Sequence, residues 1–345
     1  MTVPDLNAGP SRRIFLLAQP RTTSYLLVRM LGLEKQPNVH WDEDEVCTFF
    51  RTRKLMTALG LSTKPVTEWT KDERVHVQTS FQQCFHGLDQ YLANGEANGK
   101  IVIAKEHCNF LWSPCTRIGI DHTSSDGSFN ITLPPTHAPS NDEPMGNPTV
   151  LPTEYLGTWR PIFLIRHPAL AFPSYCRGVM RIQESNPIRC DPEYLLKDLQ
   201  LQMSFYYTRS LYDWYIMYCG HKGDTANSIA PVLLDADDII NDPEIVCRLA
   251  KLLGLDESSV QYSWTPRTDK DAFYLKKAFM QTLNASSGVQ KDKTSASLDI
   301  GDEIRKWKVE FGESLGELIE NCVSEAMPDY EYLKSKRLQS GCVLF

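Results

Sequence analysis

The chain has 345 residues, of which 42% are hydrophobic and 23% charged, and its formal net charge is −7. This balance is typical of a chain that buries a full core, and it excludes a disordered or fibrous protein. The negative charge argues against nucleic acid as the main partner, because proteins that bind nucleic acid carry an excess of Lys and Arg.

The ten cysteines form no C-x-x-C pair, so the sequence predicts neither a zinc cluster nor a disulfide framework. No other group of side chains has the spacing of metal ligands, and we expect no metal. The first residues lack the apolar stretch of a secretory signal, and no apolar run approaches the roughly 20 residues of a membrane-spanning helix. These features favour a cytoplasmic protein.

Short apolar runs, each followed by a polar loop and a helical pattern, recur along the chain. Buried strands are predicted at Ile14–Ala18, Ile101–Ala104, Pro161–Ile165 and Pro231–Leu234. After the fourth strand, Asp242 and Pro243 mark the start of a helix that Gly254 ends. The alternation of strands and helices predicts an α/β fold with three layers, αβα, around a central parallel sheet.

Composition also suggests where the domain begins and ends. Residues 1–12 are polar and are expected to form a flexible N-terminal arm, and residues 339–345 a C-terminal tail. We predict a single α/β domain over residues 13–338. Within it, residues 121–155 are rich in Ser, Thr, Pro, Asn and Gly and are predicted to be a long loop or insertion. We predict that residues 303–327 form one helix that closes the domain.

The loop Gln19–Ser24 lies between the first strand and a helical pattern. An anion binds well at such a junction, because free backbone N–H groups and the helix dipole point toward it. Arg21 would add a charged guanidinium that can donate two parallel hydrogen bonds, and Thr22, Thr23 and Ser24 would add hydroxyl donors. The loop does not match G-x-x-x-x-G-K-[ST], which argues against a kinase or GTPase. An ordinary helix N-cap is the alternative.

Two further strand ends carry candidate residues. Arg166 follows the third strand directly, and Ser174, eight positions later, is expected about two turns into the next helix. Ligand crevices open at the carboxyl ends of parallel strands, so the pair could share a phosphate. Lys105, Glu106 and His107 follow the second strand, and alternation places Lys105 and His107 on one side. A histidine of near-neutral pKa can take a proton from a hydroxyl, and a lysine can stabilise developing charge.

These three segments, in this order, resemble the sulfotransferase superfamily, especially the sulfotransferase-like proteins of fungi and bacteria. The resemblance spans about residues 13–333. It implies the P-loop NTPase-like fold of sulfotransferases and 3′-phosphoadenylyl sulfate (PAPS) as the sulfuryl donor. The product would then be 3′-phosphoadenosine 5′-phosphate (PAP).

The resemblance also implies a role for each candidate residue. In the family, a loop after the first strand holds the 5′-phosphosulfate, a later Arg and Ser hold the 3′-phosphate, and K-x-H is catalytic. Arg166 and Ser174 would therefore bind the 3′-phosphate. His107 would act as the catalytic base, together with Lys105. The 5′-phosphosulfate contacts would come from Arg21, Thr22, Thr23 and Ser24.

The chain departs from the family pattern at three places. Thr23 stands where the loop usually has glycine, and His167 where Asp or Asn is common. The family's late R-K-G-x-x-G loop has no clear counterpart, although residues 286–293 lie in the right region. The alternative is an enzyme of secondary metabolism with this fold that does not use PAPS. It would catalyse a cyclisation, an elimination or a hydrolysis in the same crevice.

The acceptor is expected to be a small molecule, apolar or aromatic. Phe110 and Trp112 follow the predicted base, and residues 205–218 are rich in aromatic side chains that could wall its pocket. The alternative for residues 205–218 is a helix that packs into the core.

The last four residues, from Cys342 to Phe345, match the C-a-a-X signal, and a final Phe favours geranylgeranyl transfer. Lys334, Lys336 and Arg337 would supply the basic second signal that one lipid needs for stable anchoring. A prenylated Cys342 would attach the protein to a membrane. This leaves a third, non-enzymatic alternative: a membrane-tethered binding protein.

Overall fold

The computed structural model describes residues 12–116, 129, 131–134, 146–185, 191–222, 230–267 and 274–339, the last range without the side chains of residues 274–277. Residues 1–11 of the predicted N-terminal arm, most of the predicted loop 121–155, and Cys342 with the rest of the C-a-a-X signal lie outside these ranges.

The four predicted apolar runs form parallel strands of one sheet, and the pair Val39–His40, which the sequence did not predict, adds a fifth strand at its edge. The strands are β1 (Arg13–Ala18), β2 (Val39–His40), β3 (Ile101–His107), β4 (Arg160–Ile165) and β5 (Val232–Asp235). Their order across the sheet is β2-β3-β1-β4-β5, and every neighbouring pair is parallel. Because β3 extends through His107, both Lys105 and His107 are strand residues rather than part of the loop beyond.

Helices cover both faces of the sheet. They are α1 (Ser24–Met30), α2 (Phe50–Ala58), α3 (Lys71–Ala97), α4 (Thr153–Leu156), α5 (Pro168–Ser185), α6 (Pro192–Gln202), α7 (Tyr206–Lys222), α8 (Ala236–Asn241), α9 (Pro243–Leu252), α10 (Tyr274–Ala285), α11 (Ile300–Phe311) and α12 (Glu313–Ser335).

Alternate residues of each strand enter two separate cores. Ile14 and Leu16 of β1 pack with α1, α8 and α9, whereas Phe15 and Leu17 pack with α2, α3, α5, α7 and α12. Strands that are apolar on both faces are what a doubly covered parallel sheet requires. The predicted three-layer α/β fold is confirmed.

Local signals set several helix ends. The Asp242 side chain accepts the Glu244 N–H at 3.0 Å at the start of α9, and Gly254 takes a left-handed φ of 69° just beyond it, both as predicted. The prediction of one closing helix over residues 303–327 is wrong. Gly312, with φ 82°, separates α11 from α12, which then pack against each other as a pair.

The basic residues near the C-terminus are engaged within the fold. Arg337 donates to Asp238 at 2.6 Å, and the Lys334 ammonium lies 3.1 Å from the Tyr330 hydroxyl. None of the helices in the described ranges is long and apolar enough to cross a membrane.

Candidate active site

A cavity of about 1560 Å³ opens at the carboxyl edge of the sheet, where β1, β3 and β4 end side by side. Strands that run parallel place their following loops at this one edge. Six of the sequence-predicted residues line the cavity: Arg21, Thr23, Ser24, His107, Arg166 and Ser174. The other two, Thr22 and Lys105, do not line it.

Arg21 joins the first loop to α5. Its Nε donates to the Ser174 hydroxyl at 3.0 Å, and its guanidinium also donates to the Phe279 carbonyl and lies 5.5 Å from the centre of that ring. Its backbone is left-handed, with φ 70°. Burial, followed by repulsion from Arg166 and Arg181, lowers the pKa of Arg21 to about 10. The charge is therefore poorly compensated by the protein.

Arg166 lies against the same loop. Its guanidinium donates to the Arg21 carbonyl at 3.3 Å and to the Lys293 carbonyl at 3.2 Å, while its Nε is buried without a hydrogen-bond partner. Burial lowers the pKa of Arg166 to about 10, against a smaller opposite effect of Asp237. A buried donor without a partner is costly, so this site suits an anionic ligand.

Thr23 takes the conformation that glycine would take at its position. Its φ is 66°, in the left-handed region, and its hydroxyl donates to the Thr22 carbonyl at 2.6 Å. Thr23 therefore keeps the loop backbone on a path that glycine could also follow. Thr22 itself is fully buried and donates to the Gln19 carbonyl at 2.7 Å, so its hydroxyl braces the loop.

His107 ends β3 with one ring nitrogen held by the protein. Nδ1 lies 3.2 Å from the Ala18 carbonyl, an acceptor, which assigns the proton to Nδ1 and leaves Nε2 as the basic nitrogen of the neutral ring. Burial, followed by the positive charges of Lys105 and Arg21, lowers the pKa of His107 well below 6.5. The imidazole is therefore neutral near pH 7, as a general base must be.

Lys105 is fully buried one layer below the cavity surface. Its Nζ lies 3.1 Å from the Cys47 sulfur and 4.4 Å from the centre of the Tyr25 ring. Both of these neighbours line the cavity. In this structure the ammonium is thus enclosed by a thiol and an aromatic face.

Glu106 faces the other side of the sheet and was not among the predicted site residues. One carboxylate oxygen accepts the Thr48 hydroxyl at 3.0 Å and the Phe49 N–H at 3.1 Å, and the other is buried without a partner. Burial raises the pKa of Glu106 to about 7. Through these bonds Glu106 holds the segment that carries Cys47 and leads into α2.

The late segment 286–293, which the sequence left unassigned, contributes to the cavity through Ser286, Gly288, Gln290, Asp292 and Lys293. Its position relative to the family's late loop was the signal that pointed to it. Phe279 of α10 had no such signal. It reaches the cavity by stacking on Tyr175 of α5, with ring centres 6.2 Å apart.

His167, which stands where the family commonly has Asp or Asn, bonds to the start of α5. Its Nδ1 accepts the Ala169 N–H at 3.2 Å at the start of α5, and burial lowers its pKa. A ring nitrogen that stays unprotonated can accept this bond as a carboxylate or amide oxygen would.

The aromatic residues divide between wall and core. Phe110 lines the cavity with Phe50, their ring centres 5.4 Å apart, and it meets the His107 ring edge to face at 5.1 Å. Trp112 is buried against Tyr207 instead. Most aromatic side chains of α7 are buried too, so this helix packs into the core, the alternative given by the sequence.

No protein-family profile matches the chain. Sulfotransferase ppzF of Metarhizium rileyi (strain RCEF 4871) is 34% identical, over 96% of this chain and 98% of that protein. Sulfotransferase ppzF of Metarhizium majus (strain ARSEF 297) is 32% identical, over 97% and 99%. The sulfotransferase domain from the Synechococcus PCC 7002 olefin synthase, a solved structure, covers 94% of this chain and 96% of its own at 15% identity, with a TM-score of 0.37. This chain is 32–34% identical to two fungal sulfotransferases along nearly its whole length. It therefore belongs to the sulfotransferase family and is a sulfotransferase-like enzyme.

Proposed function

We propose that this enzyme transfers a sulfuryl group from PAPS to a hydroxyl or amine of a small, apolar or aromatic acceptor, with His107 as general base. The reaction is an in-line displacement in which the protein supplies position and charge. PAPS, when bound, supplies the activated sulfuryl group and leaves as PAP.

The observation that carries the donor is that the two buried arginines of the cavity form no ion pair with a carboxylate. Arg21 and Arg166 line one cavity, and among the described residues neither guanidinium pairs with a carboxylate. The buried Nε of Arg166 has no partner at all. Repulsion between two such cations is relieved by a ligand that brings its own negative charge, as a nucleotide with two phosphate groups does.

The contacts refine how the donor would be held. The family pattern assigns Arg21 to the 5′-phosphosulfate, but its side chain lies on Ser174, beside Arg166. We therefore assign Arg21, Arg166 and Ser174 to one phosphate subsite. Thr23 and Ser24, which line the cavity beside this subsite, would hold the other phosphate.

His107 would act on the acceptor. Its neutral ring is oriented by the Ala18 carbonyl, so Nε2 accepts the proton of the acceptor hydroxyl as the new oxygen–sulfur bond forms. Lys105 would stabilise charge on the transferring group. Because it lies behind Tyr25 and Cys47, it would act either after these side chains shift or at a distance, through the electric field of its charge. The aromatic wall of Phe50 and Phe110 favours a flat, apolar acceptor.

Calorimetric titration with PAP tests the donor site. We expect the wild type to bind and Arg166→Ala to bind at least about tenfold more weakly, because a lost charge-assisted hydrogen bond is worth roughly 1.5–3 kcal/mol. Arg305→Ala, which removes an exposed arginine of α11, is the matched control and should bind like the wild type. If the wild type does not bind PAP at about 1 mM, its Kd is too high for a cosubstrate site. That result would favour the alternative in which the enzyme does not use PAPS.

A further inference from the structure

Cys47 and Lys105 form a contact that the transfer reaction does not require. The Lys105 Nζ lies 3.1 Å from the Cys47 Sγ, within the distance of a hydrogen bond to sulfur. The lysine is fully buried, and its ammonium also lies against the ring of Tyr25. A nucleophilic amine and an oxidisable thiol are thus held side by side, 58 residues apart in sequence.

The backbone of Cys47 is held where the thiol meets the amine. Its φ is 60°, in the left-handed region that residues with a β-carbon rarely adopt. Its N–H donates to the Lys105 carbonyl at 2.8 Å, and its carbonyl accepts the Phe50 N–H at 3.1 Å. An unfavourable backbone conformation is maintained only where surrounding contacts fix it, as these do.

A small oxidant can reach this thiol. Cys47 is partly exposed and lines the cavity, whereas Cys108 and Cys176 are fully buried in the core. Burial raises the pKa of the Cys47 thiol, and the charge of Lys105 is the largest influence that lowers it. Oxidation of a cysteine follows its exposure and its thiolate character.

We propose that Cys47 and Lys105 are a modification site, at which hydrogen peroxide joins the two side chains through a sulfur–nitrogen bond. In the first step, Sγ attacks one peroxide oxygen and the O–O bond breaks. Sulfur is oxidised to the sulfenic acid, and the other oxygen leaves as water with the thiol proton. The sulfenic acid of a cysteine condenses with a backbone nitrogen to a sulfenamide, and the Lys105 amine places a nitrogen within the same reach.

In the second step, Lys105 loses one proton to solvent, and its Nζ lone pair attacks Sγ. The S–O bond breaks, and the oxygen leaves as water with a second proton from Nζ. One thiol, one ammonium and one peroxide thus become the bridge, two waters and one proton. Thiol reductants reverse the modification, because a thiolate attacks the bridged sulfur and releases the amine.

The bridge removes the ammonium of Lys105. If Lys105 stabilises charge in the transfer, a role that rests on the proposed function, the oxidised enzyme loses transfer activity and regains it on reduction. The chemistry of the bridge itself does not depend on the donor or the acceptor. Peptide masses therefore test the site, whatever the enzyme transfers.

The experiment treats the purified full chain with hydrogen peroxide, alkylates the remaining thiols and digests with trypsin. We expect the peptide 36–51, which contains Cys47, linked to the peptide 101–117, uncut after Lys105, at a mass two hydrogen atoms below their sum. Fragmentation places the link on Lys105, and a thiol reductant releases both peptides.

Two variants control the assignment. Lys105→Arg should abolish the link but would leave intact a disulfide from Cys47 to Cys108, which has the same mass change. Cys247→Ser removes a partly exposed cysteine that contacts the Tyr262 hydroxyl, and it should form the link like the wild type. Melting temperatures of both variants check that each one folds.

Three outcomes would overturn the proposal. They are sulfenic or sulfinic acid on Cys47 without a link, a link that persists in Lys105→Arg, and a link that retains an oxygen atom between the two side chains. Failure of the proposed function would show itself differently, as absent PAP binding with the link still formed.

Discussion

The Nε of Arg21 donates to the hydroxyl of Ser174 at 3.0 Å, and this one bond joins the first loop to α5 across 153 residues of sequence. Because Arg166 also donates to the Arg21 backbone carbonyl, the three residues form a single cationic corner at the carboxyl edge of the sheet. The corner orients both guanidinium groups before any ligand arrives, which reduces the entropy cost of binding.

Ser174→Ala removes the bond that orients Arg21. We expect PAP to bind about tenfold more weakly, since one hydrogen bond to a charged group contributes roughly 1.5 kcal/mol or more. Calorimetric titration measures the change. Ser335→Ala, at the exposed end of α12, is the control. Unchanged affinity in Ser174→Ala would remove Ser174 from the proposed subsite.

His107→Ala removes the proposed base while leaving the donor site in place. We expect kcat to fall about 10²–10⁴-fold, the usual contribution of general base catalysis, with PAP affinity unchanged. His76→Ala, on the exposed face of α3, should keep the wild-type rate. A His107→Ala enzyme with the full rate would contradict the assignment.

The pH profile tests the same residue independently. Burial and the charge of Lys105 lower the pKa of His107 below 6.5, so the ring stays neutral to a lower pH than an ordinary histidine. The acid limb of kcat/KM should therefore lie below pH 6.5. A limb above this value would mean that another group controls the acid side of the profile.

Thr23→Gly tests the strained loop. A left-handed residue with a β-carbon costs about 1–2 kcal/mol, and the extra freedom of glycine in the unfolded chain costs roughly 0.4–1 kcal/mol. We expect the free energy of unfolding to stay equal or to rise, with PAP binding retained. Thr23→Val, which keeps the branched side chain but loses the bond to the Thr22 carbonyl, should be less stable. Urea unfolding compares them, and a large loss in Thr23→Gly would contradict this account.

Arg53 and Asp198 form a buried ion pair beside the cavity. One guanidinium nitrogen of Arg53 lies 2.5 Å from both carboxylate oxygens, and each side chain is almost fully enclosed. Asp198→Asn leaves the arginine without its counter-charge, so we expect a loss of about 3–5 kcal/mol in the free energy of unfolding.

Replacing both partners isolates the unpaired charge as the cause. Arg53→Met with Asp198→Leu should cost less than Asp198→Asn alone, because no charge is then left buried. Glu193→Gln, which breaks the exposed pair with Lys197, should leave urea unfolding unchanged. A double variant as unstable as Asp198→Asn would show that packing, rather than charge, sets the loss.

Glu106 makes stability depend on pH with a definite sign. Its pKa is raised in the fold from 4.5 to about 7, so the unfolded chain loses this proton first as pH rises. Its contribution to stability is thus full below pH 4.5 and is lost between that value and about 7.

Glu106→Gln keeps the shape of the side chain and removes the titration. The variant should lose less stability than the wild type between pH 4.5 and 7 in thermal melts at stepped pH. His107 and His167, whose pKa values are lowered, act in the opposite direction in both proteins and cancel in the comparison. Parallel curves for the two proteins would contradict the role given to Glu106.

The sequence by itself determined the sheet and the place of the site. Apolar runs such as Ile14–Ala18 are long enough only for buried strands, and strands joined by helices must run parallel with their carboxyl ends at one edge. Arg21, His107 and Arg166 each follow or end such a run, so their meeting in one cavity followed from topology. The caps of α9 were equally local, since Asp242 bonds within its own first turn.

Only the tertiary structure decided which atoms meet. That Arg21 lies on Ser174 and that Cys47 encloses Lys105 both depend on packing between distant segments. The same is true of Gly312, where helical periodicity runs on although the chain turns back. Periodicity reports which face of an element is buried, whereas the partner of each side chain is set by long-range contacts that no local pattern encodes.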